Sequence, residues 1–317
     1  MTLTIQPFTQ TQSDNWDAFV ERSCQGTFLH SRLFLSYHGD RFQDRSLMIL
    51  RDDKLVGVLP AAKHPSDPTT VISHPGSSYG GILHDGYLSG EIMVTTLQAI
   101  CDHYQAAGCK ELIYKAVPSF YHRSPAMDDS YALFRLGADR YRVDLSVTID
   151  LDNRRPIGSR RKRGVKKAVK AGLEIQTGAH LLPAYWDVVT ANLADRHDTR
   201  PVHTLDEIQM LADRFPDTIS CTCALKDGVI CGGLVNFLSP MVMHSQYIAS
   251  TAAGRDCNAL DMVFEHCILS AREAGLRYFD FGICTEDNGT YLNAPLYTYK
   301  HEFGSGATVH EFYRLTF

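Results

Sequence analysis

Between Arg154 and Lys170 the chain places nine lysines and arginines and no acid. A solvated helix face ordinarily mixes signs, so a run of like charges invites an anion, and phosphates are the natural candidates. Ser159 as a cap and Gly172 as a stop predict a helix over 160–171. At 100° per residue, Val165, Ala168 and Val169 form a narrow apolar stripe, and Arg163, Lys166, Lys167 and Lys170 fall on the opposite face. A second anion signal lies in 251–258. There Gly254 and Arg255 precede a helix predicted from Ala259, so free N–H groups, the positive end of a helix dipole and a guanidinium converge. An ordinary N-cap by Asp256 or Asn258 explains the same residues.

Fourteen histidines offer general bases. His197 and His203 bracket a helix start at Thr204, where Thr204 and Glu207 form a capping box. They lack the i, i+4 spacing of a helical zinc pair, and Cys221 and Cys223 have no second pair, so no metal site is predicted. In the strand 243–249, His244 and Gln246 share one face, opposite Met243, Ser245 and Tyr247. That polar face is expected to line a cavity. The glycine- and hydroxyl-rich loop 73–81, with Tyr79, reads either as a substrate-lining loop or as a plain turn cluster. Lys115, near the end of a strand over 111–117, is placed either to meet a phosphate or as a surface lysine. No P-loop, dinucleotide fingerprint or Gly-x-Ser-x-Gly elbow is present.

The elements that must position these residues repeat. Residues 46–60 read as a hairpin about the turn Asp52-Asp53-Lys54, and 219–237 repeat the design about Lys226-Asp227-Gly228. A helix over 88–107, stopped by Gly108, leads to the strand 111–117. A helix over 259–274, stopped by Gly275, leads to a strand over 277–282. Each half is thus hairpin, further strand, long helix, strand: a mixed α/β unit rather than a doubly wound sheet. The domains are expected at 1–150 and 151–317, the second beginning with the basic helix.

With 317 residues and 44% hydrophobic content the chain has ample core for two domains. Outside 154–170 it carries 22 basic residues against 36 acidic, a balance of −14. That argues against a general nucleic-acid coat protein. No apolar run approaches the ~20 residues of a membrane span, and the first residues lack the pattern of a signal peptide. Nine cysteines in mostly apolar segments read as reduced core thiols of a cytoplasmic protein.

The duplicated unit, with an anion-binding turn before its second long helix, resembles the GNAT N-acyltransferase superfamily. More closely it resembles the FemAB-like branch, which carries two such domains in one chain. The basic segment 160–172, the strand Gln246-Tyr-Ile-Ala249 and the ending Leu292-Asn…Leu296-Tyr-Thr-Tyr-Lys300…Phe303-Gly304 carry the likeness, spread over residues 45–317.

The resemblance implies two tandem GNAT-like domains, each a mixed, mostly antiparallel sheet flanked by helices. It implies an N-acyltransferase with no permanently bound cofactor, taking acyl-CoA as co-substrate. Two-domain relatives of this kind acylate nucleotide-linked amino sugars, dTDP- or UDP-aminodeoxyhexoses, for lipopolysaccharide or capsule synthesis. The CoA pyrophosphate turn of GNAT folds then matches Gly254, Arg255, Asn258 and Ala259, of which Gly254 and Ala259 hold recognisable roles. Arg160, Arg161 and Arg163 are assigned to the nucleotide diphosphate, and Tyr79, Lys115, Gln246 and Tyr247 to further substrate contacts. His203, His197 and His244 are the candidate bases, and Lys300 of the Lys-x-x-Phe-Gly ending is assigned to a phosphate or the developing charge. The alternatives are a Fem-type aminoacyl-tRNA-dependent transferase, or a non-catalytic nucleic-acid module using the basic helix. The confinement of positive charge to one stretch counts against the first, and the acidic remainder of the chain and the lack of interleaved aromatics in 154–170 count against the second.

Overall fold

The structure, a computed structural model, describes residues 3–197 and 199–317, with side chains in the helix ending at 197 described as far as residue 195. In chain order it begins β1 (Leu3–Pro7), α1 (Ser13–Arg22), α2 (Arg32–Leu35), β2 (Leu47–Arg51), β3 (Lys54–Leu59), β4 (Ala62–Lys63), β5 (Thr70–Ile72) and β6 (Leu83–His84). There follow α3 (Glu91–Ala106), β7 (Glu111–Lys115), α4 (Asp128–Arg135), β8 (Asp139–Asp150), α5 (Ser159–Lys170), β9 (Glu174–Thr177), α6 (Leu182–His197) and α7 (Leu205–Arg214). The chain ends with β10 (Ile219–Lys226), β11 (Val229–Leu238), β12 (Val242–Ser250), α8 (Ala252–Asp256), α9 (Ala259–Glu273), β13 (Tyr278–Ile283), β14 (Thr285–Glu286), β15 (Tyr291–Leu292), α10 (Ala294–His301) and β16 (Gly306–Thr316).

Two compact units result. The first holds residues 1–145, 285–291 and 309–317; the second holds 146–284 and 292–308. The C-terminal strand returns to the first unit because residues 312–316 of β16 ladder antiparallel with β7. A division of the sequence at one point cannot express that return.

In the first unit β1, β2, β3 and β6 form an antiparallel sheet, and β7 runs parallel to β5 and antiparallel to β16. Helix α3, which precedes β7, buries Met93, Leu97, Ile100 and Tyr104 against Leu47, Ile49, Leu59 and Leu112. In the second unit β9 to β12 are antiparallel, and β13 runs parallel to β12 and antiparallel to β8. Helix α9 precedes β13 and buries Val263, Phe264, Cys267, Ile268 and Ala271 against Leu234, Phe279 and Phe281. Such burial contributes about 1.5–3 kcal/mol for each large side chain. A strand entered from a long helix, with a parallel neighbour on one side and an antiparallel one on the other, therefore occurs in both units.

The hairpins hold where the turn residues placed them. Asp52 and Asp53 have φ of 47° and 64°, and Asp227 and Gly228 have φ of 51° and 79°. Two consecutive positive φ values match the right-handed twist of the flanking strands. Among the described residues no helix is long and apolar enough to cross a membrane.

Candidate active site

The second unit's strand–turn–helix segment builds a cavity of about 440 Å³. Its wall is formed by Ile248, Ala249 and Ser250 at the end of β12, by Gly254, Arg255 and Asn258 in the turn, and by Leu260 and Asp261 of α9. Arg161 of α5, Asn192 of α6, and Leu296, Tyr299 and Lys300 of α10 complete it. Of the residues singled out in the sequence, Gly254, Arg255, Asn258, Arg161 and Lys300 thus meet in one place. Ala259 is fully buried at the start of α9 and does not line the cavity.

Local chemistry explains the turn. Thr251 caps α8 by accepting the Gly254 N–H at 3.0 Å, so that donor is already engaged. A Cβ on Gly254 would lie 1.9 Å from the Cys231 carbonyl oxygen, so glycine is required for α8 to rest on β11. Asn258 takes a left-handed conformation (φ 61°) that lets α9 begin in a new direction. The Arg255 side chain is exposed and donates to the Ser250 carbonyl at 2.9 Å.

Arg161 differs from its basic neighbours. It is 6% exposed, donates to Asp261 Oδ1 at 2.6 Å and to Glu302 Oε2 at 3.0 Å, and lies 4.5 Å from the centroid of the Tyr299 ring. Tyr299 donates its hydroxyl to Asp261 at 3.0 Å, and Asn258 donates to the other carboxylate oxygen at 3.4 Å. Burial raises the Asp261 carboxyl above its usual range, opposed by the Arg161 charge and the hydrogen bonds. The buried stripe of α5 is therefore Arg161, Gly164 and Ala168, not Val165, Ala168 and Val169, and Val169 is 60% exposed. An ion pair has displaced the apolar pattern: a Cβ on Gly164 would lie 1.7 Å from Asp261 Oδ2, so glycine admits the carboxylate. Arg160 and Arg163 stay on the exposed face, Arg160 with only a 3.7 Å approach to Glu302.

Lys300 is buried, and burial lowers its pKa, opposed by Cys284 and Asp280. Its ammonium donates at 3.0 Å to each of the Gly282 and Ile283 carbonyls and also contacts the Cys284 thiol. Donating to both carbonyls, it holds the end of β13 in place rather than reaching out as a free cation.

That strand end matters because β12 and β13 part there: parallel pairing covers only 242–244 with 278–280. His244, the last paired residue of β12, makes a 2.7 Å bond from Nδ1 to Asp280 Oδ2. Asp280 is fully buried and accepts from Ser146 Oγ at 2.6 Å and Thr148 Oγ1 at 3.0 Å. Immediately beyond, Val235 faces Tyr247 while Asn236 faces Ser245, leaving Gln246 as a bulge. The bulge overturns the expected face assignment. Met243 and Ile248 both pack toward the α9 core, which requires His244 and Tyr247 to share the other side of the sheet. The expected cavity is lined by Ile248–Ser250, not by His244 or Gln246.

His203 is buried on the Tyr247 side, its Nδ1 2.5 Å from the Tyr247 hydroxyl, with Trp186 against the Tyr247 ring. The His197 side chain lies outside the described residues. In the first unit, Tyr79 is 3% exposed and packs between His30 and Tyr121. Lys115 is wrapped by the 73–81 loop, donating to the His74 and Ser77 carbonyls, and burial lowers its pKa to about 7. Neither lines the second unit's cavity. Asp261 and Asn192 were not singled out in the sequence, and Asp280 and Tyr299 lay in stretches noted there without a role of their own. Only Asp280, a charge inside the apolar run Tyr278–Ile283, carried a local signal.

Residues 153–301 match the family described as an acetyltransferase (GNAT) domain. None of the curated proteins matches the chain in sequence. Among solved structures, FemX is similar with a TM-score of 0.71 and 12% identity, covering 99% of this chain and 97% of its own. L-PGS from Bacillus licheniformis gives 0.63 and 12%, covering 96% and 91%. A tandem GNAT protein from the clavulanic acid biosynthesis pathway gives 0.54 and 11%, covering 99% and 98%. Residues 153–301 thus carry the match to an acetyltransferase (GNAT) domain, and along its length the chain has the fold of FemX and of the tandem GNAT protein.

Proposed function

We propose that the chain transfers an acyl group from acyl-CoA to the amine of a nucleotide-linked amino sugar, a dTDP- or UDP-aminodeoxyhexose, for surface polysaccharide synthesis. The observation that carries the donor half is the cavity built by the end of β12, the turn after it and the start of α9. The acyl-pantetheine arm runs along Ile248–Ser250, and Arg255 and Asn258 at the turn meet the pyrophosphate. For the acceptor, support comes from Arg160 and Arg163, exposed at the start of α5, where a diphosphate can compete with the 3.7 Å approach of Arg160 to Glu302.

The transfer is direct. The lone pair of the neutral sugar amine attacks the thioester carbonyl carbon, and N–H groups of β12 beyond His244 hold the oxyanion. The C–N bond forms, the C–S bond breaks and CoA leaves as thiolate. The amine proton passes to His244 Nε2 and from there to the departing sulfur. His244 suits this role better than His203, whose Nδ1 is tied to Tyr247 within a buried aromatic cluster. Lys300 acts by fixing Gly282 and Ile283 beside the splay.

A thermal-shift series with CoA, acetyl-CoA, longer acyl-CoAs, UDP and dTDP tests the reading. A ligand at a hundred times its Kd stabilises the native state by about 2.7 kcal/mol. Stabilisation by a CoA species and by one nucleotide supports both substrate assignments. Silence from every CoA species, with stabilisation by tRNA, would overturn the donor.

A further inference from the structure

We propose that Asp280 is a positioning residue that fixes the tautomer and aim of His244, an inference that rests on the base role given to His244 above. Asp280 is fully buried in the centre of its sheet, flanked by the core residues Phe279 and Phe281. A carboxylate there would be costly unless its lone pairs were filled. They are filled from both neighbouring strands. Ser146 and Thr148 of β8 donate to Oδ1 at 2.6 and 3.0 Å, and His244 of β12 approaches Oδ2 at 2.7 Å. Thr148 is itself braced by the Thr308 hydroxyl at 2.7 Å.

Two hydroxyls on one oxygen leave the other directed at the imidazole. An ionised carboxylate only accepts, so the proton of the neutral ring resides on Nδ1 and Nε2 keeps its lone pair. The His244 side chain keeps 20% of its surface exposed. Gly282 has φ of 79°, and a Cβ there would stand 3.5 Å from His244 Cε1. Phe237 lies directly across on β11, and from α10 the Lys300 ammonium reaches the Gly282 carbonyl rather than the imidazole. Asp280 is the charge that His244 contacts, and when the ring accepts the amine proton the carboxylate stabilises the imidazolium.

The test uses the full chain with 15N-labelled histidine. NMR of the ring nitrogens, which needs no substrate, is expected to show the Nδ1–H tautomer for His244. In Asp280→Asn, whose amide can donate to Nδ1, the other tautomer is expected. With acetyl-CoA and a dTDP-3-amino-3,6-dideoxyhexose, kcat of that variant should fall about a hundredfold while KM for acetyl-CoA stays near wild type. The double variant Ser146→Ala/Thr148→Val keeps the carboxylate but removes its two hydroxyl donors, and it should lower kcat in the same direction. An Nε2–H tautomer in the wild type would overturn the proposal. So would a folded Asp280→Asn variant with unchanged tautomer and kcat. Should His244→Ala retain full transfer while the tautomer is as expected, the base assignment fails and the geometric claim stands.

Discussion

Removing the Arg161 guanidinium should cost more stability than any other charge deletion in the basic segment. Arg161 and Asp261 are 6% and 2% exposed and 2.6 Å apart, so Arg161→Met leaves a buried carboxylate without its counter-charge. Breaking one side of a buried pair costs about 3–5 kcal/mol. Tyr299 and Asn258 still donate to Asp261, which favours the lower end. Asp261→Asn in the same chain removes the orphaned charge, so the double variant should lie within about 2 kcal/mol of wild type, the shortfall of additivity measuring the coupling. Trp16 lies in the first unit and Trp186 in the second. Urea unfolding followed by Trp186 fluorescence, with Trp16→Phe as the common background, therefore reports the unit that matters. Burial already raises the Asp261 carboxyl, and loss of Arg161 raises it further, so the cost of Arg161→Met should shrink as pH falls and Asp261 takes up a proton. A single variant costing under about 1 kcal/mol, or additive single costs, would refute the view that this pair decides how α5 packs on α9.

Other consequences can be measured separately. Gly254→Ala places a methyl against the Cys231 carbonyl and should cost about 1–3 kcal/mol by overpacking, with acetyl-CoA binding weakened in calorimetry as α8 shifts. Arg160→Glu with Arg163→Glu alters exposed positions, so stability should change by less than about 0.5 kcal/mol each; unchanged dTDP and UDP binding would remove these residues from the acceptor site. His30 is fully buried and its pKa is lowered to about 4, chiefly by desolvation. The unfolded state then binds the extra proton first, so stability present above pH 6.5 should be lost as pH falls toward 4, by about 3 kcal/mol at one 1.36 kcal/mol step per unit. A His30→Asn chain should lose that dependence in acid titrations followed by circular dichroism.

The sequence by itself determined the local pieces. Asp-Asp and Asp-Gly demanded their turns, Thr204 and Glu207 capped α7, and the apolar spacing of 259–271 made one face of a helix. Gly254, Arg255 and Asn258 were legible as a turn before α9 because capping and anion binding draw on the same short-range chemistry. Tertiary structure decided the rest. Arg161 looked like one cation among nine, and only the approach of α9, 100 residues later, buried it against Asp261. Lys300 looked free until β13 presented two carbonyls. Gln246 kept a strict alternation on paper, yet the register with β11 left it unpaired and turned the faces of β12. Asp280 joined His244, Ser146 and Thr148 through strands far apart in the chain. Periodicity and capping act within one or two turns of chain, whereas charge burial and strand register depend on which distant residue arrives opposite. Composition cannot specify that partner.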